Sequence, residues 1–375
     1  MSNKIEEKLY NDNANYMSEQ IITYIGNKRS LLPVIQSTMN IICDEIGRNK
    51  LVTLDLFSGS GVVARLLKQY SSFLYANDIE LYSLINNICY LSNKSVVNKF
   101  NLIEIYKKLL ANIKNEWRTD GFISEMYAPA DDEHIKFGER VFYTRRNAEY
   151  LDTARTQIGL LPLEVQPYFL APLIASASVH TNTSGVFKGF YKDSEGVECF
   201  GGVGKNALTR ILGDIEVQIP VLSDYECKSK VLQMNAIDAV KSLPHVDVAY
   251  LDPPYNQHPY GSNYFMLNLL ASYEKPNEVS SVSGIPKDWN RSNFNKRRIA
   301  QNELFNVIEQ CDASYVLISY NSEGFIQYED MVSFLEQLGT VRIIETQYNT
   351  FRGSRNLRNR NIHVTEYLFL LKKAI

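Results

Sequence analysis

Cysteine and histidine are both scarce and dispersed in this chain. Cys43, Cys89, Cys199, Cys227 and Cys311 form no C-x-x-C pair, and the five histidines stand far apart with no metal-ligand spacing. No structural metal is therefore expected, and a reduced compartment is the simpler expectation for the thiols. No apolar run approaches the roughly 18 residues that would cross a bilayer, so no membrane partner is expected. The opening Met1-Ser2-Asn3-Lys4-Ile5-Glu6-Glu7 is charged and lacks the apolar core of a signal peptide. There is no internal repeat and no low-complexity tract. What remains is globular composition, 45% apolar and 22% charged over 375 residues, long enough for two domains and a sizeable core.

Two nucleotide fingerprints are incomplete as well. The turn Ser58-Gly59-Ser60-Gly61 lies between the strand-like Leu51-Val52-Thr53-Leu54-Asp55-Leu56-Phe57 and the helix-like Val62-Val63-Ala64-Arg65-Leu66-Leu67. It has no third glycine at G-x-G-x-x-G spacing and no Gly-Lys-Ser/Thr, which counts against dinucleotide and P-loop sites. Such a turn still lets a ligand approach the backbone and the helix N-terminus. Asp55 would repel a pyrophosphate but suits a cation. A second strand, Phe73-Leu74-Tyr75-Ala76-Asn77-Asp78, ends in a carboxylate, where an acid commonly takes ribose hydroxyls. A cationic nucleoside held by two acids and a glycine turn points to S-adenosylmethionine.

The tetrapeptide Asp252-Pro253-Pro254-Tyr255 follows the apolar run Val246-Asp247-Val248-Ala249-Tyr250-Leu251. Two prolines stop the strand ladder, since neither has an N–H to donate, and they stiffen the loop at the strand's carboxyl end. Ligands bind there in open α/β sheets. A carboxylate and a backbone carbonyl can accept hydrogen bonds from an amino group while Tyr255 stacks on the base that carries it. A proline-rich turn without chemistry would read the same in isolation.

Together, Asp55-x-Phe57-x-Gly59-x-Gly61, Asn77-Asp78 and Asp252-Pro253-Pro254-Tyr255 resemble the cofactor and catalytic motifs of DNA adenine methyltransferases. Tyr24-Ile25-Gly26-Asn27-Lys28 resembles the N-terminal motif of the Dam-type class, and the motif order is the alpha order of that class. The run from Asp252 to Phe265 is more similar to the FokI-type modification methylases. The resemblance is strong in the N-terminal hundred or so residues and the C-terminal third, and weak between them.

The resemblance implies methyl transfer from S-adenosylmethionine to the exocyclic N6 amino group of an adenine flipped out of duplex DNA. It implies a restriction–modification or orphan modification enzyme of the bacterial cytoplasm or nucleoid. Such an enzyme is expected to act as a monomer, with any cognate restriction endonuclease acting separately. Asp252, Pro253, Pro254 and Tyr255 would be catalytic. Tyr24, Lys28, Asp55, Phe57, Gly59, Gly61, Asp78, Asn235 and Asp252 would surround the cofactor. In that arrangement Tyr24 covers it, Lys28 holds its carboxylate and Asn235 meets its adenine.

The pattern of elements predicts an α/β fold: a Rossmann-like S-adenosylmethionine-dependent methyltransferase sheet with an inserted, mainly helical target-recognition domain. Residues 1–20 read as a polar arm, 21–99 and 229–375 as the catalytic domain, and 100–228 as the insertion. Strands are expected at 51–57, 73–78, 230–235, 246–251, 314–320, 340–346 and 364–371, the last two as a reversed hairpin. Helices are expected at 30–46, 81–91, 102–117, 146–158 and 167–178, from apolar residues at helical spacing.

Net charge is −3, so phosphate contact must come from local clusters of Lys and Arg. Arg352, Arg355, Arg358 and Arg360, interleaved with Asn and Ser, lie between the last two strands and are expected to grip DNA phosphates. Lys287, Arg291, Lys296, Arg297 and Arg298, around Trp289 and Phe294, read equally as a solvated face. In the insertion, Phe142-Tyr143-Thr144-Arg145-Arg146-Asn147 and the segment from His180 to Lys192 combine aromatics with donors. Arg and Asn read guanine and adenine edges. Arg145, Arg146 and Lys188 are therefore expected at DNA, with Tyr260 and Tyr264 over the flipped base. Phe142, Tyr143 and Phe190 read as well as packing residues.

Cytosine-N4 methylation uses the same device, but its motif typically begins with Ser, so Asp252 favours adenine. An RNA adenine methyltransferase has less use for a long recognition insertion. A nicotinamide or flavin oxidoreductase would need the full glycine fingerprint. A non-enzymatic DNA-binding protein needs none of Asp55, Asp78 and Asp252.

Overall fold

The computed structural model describes residues 15–349 and 363–374. Seven strands form one sheet in the order β3-β2-β1-β4-β5-β7-β6. They are β1 (Leu51–Asp55), β2 (Ser71–Asp78), β3 (Lys228–Gln233), β4 (Val246–Leu251), β5 (Ala313–Asn321), β6 (Gly339–Asn349) and β7 (His363–Lys373). Pairing is parallel from β3 through β5, and β7 enters antiparallel between β5 and β6. The Rossmann-like α/β fold and its reversed hairpin are therefore as the sequence predicts. The expected strand 230–235 ends earlier, so Asn235 stands at the N-cap of helix Ala236–Ser242.

Alternation along each strand feeds two cores. On β5, Val316, Ile318 and Tyr320 face one core, while Tyr315 and Leu317 face the other. The first is closed by Ala239, Leu304, Val307 and Leu335 from three helices, Ala236–Ser242, Ala300–Gln310 and Tyr328–Leu338. On the opposite face, helix Leu32–Ile46 buries Leu32, Ile35, Met39 and Ile42. It stops at Gly47, whose φ of 74° lets its N–H reach the Cys43 carbonyl at 2.8 Å.

The strand order reverses at β1, between β2 and β4, which leaves a crevice at their carboxyl ends. Asp55, Asp78 and the residues after Leu251 all emerge there.

The insertion contributes helices Leu102–Asn115, Phe122–Tyr127, Arg145–Gly159 and Pro167–Val179, then a long irregular stretch with one turn at Leu208–Ile211. Its core is continuous with the sheet's: Ile85, Leu173, Phe142 and Phe265 belong to one buried cluster. The segment after β4 reaches into it, with Tyr127 donating to the Gly284 carbonyl and Arg140 to that of Ser281.

The expectation of a polar arm to residue 20 meets a packed segment from Asn15 onward. Tyr16 and Met17 are buried, and Arg65, 1% exposed, donates to the carbonyls of Tyr16 (2.6 Å), Glu19 (3.0 Å) and Gln20 (3.0 Å). Its guanidinium lies 3.7 Å from the Tyr90 ring centre. Sequence reading missed this because the three acceptors are backbone groups. Arg65→Met should cost roughly 3–5 kcal/mol, since it strands buried carbonyls. Urea unfolding reads this directly, and a loss below about 1 kcal/mol would show that other contacts hold the segment.

Candidate active site

The turn after β1 is built by side chains of β2. Asp78 Oδ2 accepts the Gly59 N–H at 2.7 Å, and its Oδ1 accepts that of Glu80 at 2.9 Å. Asn77 Nδ2 donates to the Leu56 and Met234 carbonyls, both at 3.1 Å, and so ties the ends of β1 and β3. Gly59 has φ 48°, and a Cβ there would meet the Tyr24 ring at 3.2 Å. Gly61 has φ 77°, and a Cβ would strike Asn87 Oδ1 at 2.9 Å. The two glycines therefore allow close approach from opposite sides.

A crevice opens over this turn, spanning about 870 Å³ of space that includes open solvent. Tyr24, Lys28, Asp55, Phe57, Gly59, Asp78, Asn235, Asp252, Pro254 and Tyr260, among the residues expected at the site, line it. Glu80, Asn290, Phe294 and Asn295 line it too, and sequence reading missed Glu80, Asn290 and Asn295. Phe294 belongs to the basic segment left open as a solvated face. It is buried, edge-on to Phe57 at 5.1 Å, whereas Arg291 folds over Trp289.

Asp55 is 1% exposed, and neither carboxylate oxygen has a hydrogen-bond partner. Burial pushes its carboxyl well above the usual range, and the charges of Asp252 and Asp78 add to this. The backbone amides of Ala64 and Phe57 work the other way without closing a hydrogen bond. Burial also raises Asp78 against the amides that hold it. Glu80 is pushed up to about 7 by burial, partly offset by Asn268 at 2.5 Å and Asn290 at 3.0 Å.

Lys28 lines the cavity and also pairs with acids of the site. Its ammonium lies 3.3 Å from Asp252 Oδ1 and 3.5 Å from Glu366 Oε2, and it is 4% exposed. Burial alone would discharge it, but Asp252, Tyr255 and Glu366 more than compensate and hold it charged. Asp252 sits at about 6, raised by burial, lowered by Lys28 and raised again by Glu366.

Tyrosines join the N-terminal motif to the loop after β4. Tyr24 is stacked between Tyr260, at 4.8 Å, and Tyr264, at 4.6 Å. The Ile25 N–H donates to the Tyr264 hydroxyl at 2.6 Å, and the Tyr260 hydroxyl to the Ile25 carbonyl at 3.3 Å. Tyr264 is fully buried, which corrects its expected place over a flipped base. Tyr255 stands edge-on to Tyr320 at 5.9 Å, with Lys28 5.6 Å from its ring centre, and Pro253 is buried behind it.

In the insertion, packing wins for Phe142 and Tyr143, both fully buried, and Phe190 packs on Phe142 at 5.0 Å. Arg145 is engaged by Glu149 at 2.7 Å and by the Ser124 and Thr119 carbonyls, and Arg146 pairs with Asp214. Neither arginine stands free for DNA in this conformation. Lys188 is exposed, and burial holds the neighbouring His258 below the usual imidazole range, with the Lys188 charge adding to it. Arg352, Arg355, Arg358 and Arg360 lie outside the described residues. All five cysteines are free thiols, and no helix among the described residues is long and apolar enough to cross a membrane.

Residues 24–334 match the D12 class N6 adenine-specific DNA methyltransferase family. The chain belongs to that family, as its motifs indicate. It is 28% identical over 367 residues to Modification methylase StsI of Streptococcus sanguinis, covering 93% of this chain and 52% of that protein. It is 27% identical over 363 residues to Type II methyltransferase M.NlaIII of Neisseria lactamica, covering 94% and 100%. Type II methyltransferase M.FokI of Planomicrobium okeanokoites is 27% identical over 367 residues, covering 94% and 53%. The chain thus spans about half the length of StsI and M.FokI and the whole of M.NlaIII.

Glu80 makes a pH test of this geometry. Its folded value of about 7 lies above the unfolded carboxylate value, so the folded state binds the extra proton between them. Its contribution to stability is present below about pH 4.5 and is lost as pH rises through 7. Relative to Glu80→Gln, the wild type should lose on the order of 2–3 kcal/mol between those limits, read from denaturation at a series of pH values. Parallel stability curves would show that Glu80 titrates normally.

Proposed function

We propose that this chain methylates the exocyclic N6 of a specific adenine in duplex DNA, with S-adenosylmethionine as the methyl donor. The observation that carries this reading is a shared cavity: the Asp252 carboxylate opens on the same space as the unpartnered Asp55 and the Gly59 turn. Asp55, buried without a partner, suits the cationic end of such a cofactor. Asp78 keeps spare lone pairs for ribose hydroxyls beside its two amide bonds. Asn235, Phe57 and Phe294 fit a flat adenine. When bound, S-adenosylmethionine supplies an electrophilic methyl group.

An amino group conjugated to adenine is a poor nucleophile, because its lone pair is delocalised. Asp252 and the Pro253 carbonyl would accept its two N–H bonds and draw the nitrogen toward tetrahedral geometry. The nitrogen pair forms the new N–C bond, the C–S pair stays on sulfur, and one N–H proton passes to Asp252. Tyr255 and Tyr260 are the aromatic partners for the flipped base. Lys188, Arg352, Arg355, Arg358 and Arg360 would hold phosphates. A monomer in the bacterial cytoplasm or nucleoid, with any cognate endonuclease separate, is consistent with the family. Modification-sensitive sequencing of host DNA after expression tests the reaction, the base and the recognition site together, and unmodified DNA would reject it.

Asp252→Ala should retain cofactor affinity and lose turnover, because Asp252 faces the target amine. Asp78→Ala should instead weaken cofactor binding by ~1–3 kcal/mol. Isothermal titration with S-adenosylmethionine and single-turnover methylation separate the two, and near wild-type turnover in Asp252→Ala would overturn the assignment.

If Arg355 contacts phosphate, Arg355→Ala should weaken cognate and non-cognate duplexes alike and reduce the salt slope by about one. An unchanged slope would remove it from the DNA interface.

A further inference from the structure

We propose that Glu366 is a positioning residue for methyl transfer, holding the Lys28 ammonium midway so that Asp252 stays open and basic toward the target amine. The inference rests on Asp252 being the acceptor for that amine. Glu366 lies on β7, far from every sequence motif, and reaches the site only because β7 inserts antiparallel beside β5. It pairs in register with Asn321, whose Nδ2 donates to Glu366 Oε1 at 3.5 Å. Its Oε2 has no hydrogen-bond partner and points at Lys28. Both carboxylates stand 3.3–3.5 Å from the ammonium, longer than the roughly 2.7–2.9 Å of a tight charge-assisted bond.

That spacing is what an amine acceptor requires. Were Lys28 committed to Asp252 alone, it would occupy the oxygen the amine needs and lower that oxygen's basicity. Were Lys28 absent, burial would leave Asp252 protonated and unable to take up the amine's proton. Sharing the ammonium with Glu366 avoids both outcomes. The titratable groups facing Asp252 are Lys28, Glu366, Tyr250, Tyr255, Tyr260 and Asp55. Glu366 lies outside the cavity wall, as Tyr255 does, but unlike Tyr255 it has no part in the proposed chemistry.

The test is Glu366→Gln, read in two ways. Carbon-13 NMR of labelled aspartate carboxyls, with Asp252 assigned from Asp252→Asn, follows the carboxyl in the free protein. Single-turnover methylation of modifiable duplex follows the rate against pH. In the wild type both should titrate near 6. In Glu366→Gln both should move to lower pH, because a negative neighbour is gone. The plateau rate should fall about tenfold, with cofactor affinity unchanged. A folded Glu366→Gln with an unmoved Asp252 titration and acid limb overturns the proposal, since a merely structural residue would lower stability and leave both in place. If Glu366→Gln does not fold, Glu366→Asp, which withdraws the charge by one methylene, should shift the titration the same way by less, and no shift overturns it. Turnover in Asp252→Asn would reject the underlying reading. An inactive Asp252→Asn beside an unmoved Glu366→Gln would reject this inference alone.

Discussion

The Lys28 ammonium sits where carboxylates crowd at one end of the sheet. Asp55 ends β1, Asp252 follows β4 and Glu366 comes from β7, and all three are buried or nearly so. Like charges this close cannot all ionise in a low-dielectric interior without a counter-charge. Lys28 supplies it to two of them directly, while Asp55 is left as the acid with no partner and the strongly raised carboxyl. The division is useful. The paired acid, at about 6, is ionised at neutral pH as the proposed work on an amine would need, and the unpaired one is in a position to favour a cationic ligand.

Placing Lys28 depends on a clamp of aromatic rings. Tyr24 lies over Gly59 on one side and between Tyr260 and Tyr264 on the others, while Ile25 exchanges hydrogen bonds with both hydroxyls. One short segment therefore fixes its geometry against the glycine turn and against the loop after β4 at once. Behind it, Arg65 holds the preceding residues by their carbonyls. A shift at the cofactor turn is thus felt by the loop that would receive the target base, through packed rings rather than through a long relay.

Much of this was legible in the sequence. All seven strands were found, most of them as apolar or alternating runs bounded by glycine, proline or charge, and Asp55, Asp78 and Asp252 could be placed because they end such runs. What escaped was set by non-local pairing. Glu366 is one acid in an alternating strand, and its meaning comes from the register of β7 with β5. Asn290 and Asn295 lie in an irregular stretch with no periodicity. Arg145, Arg146 and Tyr264 carry the chemistry expected at DNA, yet their partners, Glu149, Asp214 and Ile25, could not be read from composition. Lys28 lines the expected cavity, but its pairing with Asp252 and Glu366 was not legible, since the sequence shows the charge and not which acid lies closest.

The distribution of unmet polar groups carries the last step. A buried carboxylate with no partner is costly, and a fold keeps one only where something else repays it. At Asp55 both oxygens are unmet and face a cavity large enough for a nucleoside, so a cationic ligand can repay that cost on binding. Ligand binding and fold stability are then linked, and the free protein carries the strain of an empty acid until the ligand arrives. At Glu366 only Oε2 is unmet, and it is turned toward an ammonium already in place. Its compensation is electrostatic and permanent. The same local defect thus serves two purposes, one opened to an incoming cation and one spent on holding a resident cation at the distance that chemistry at Asp252 requires.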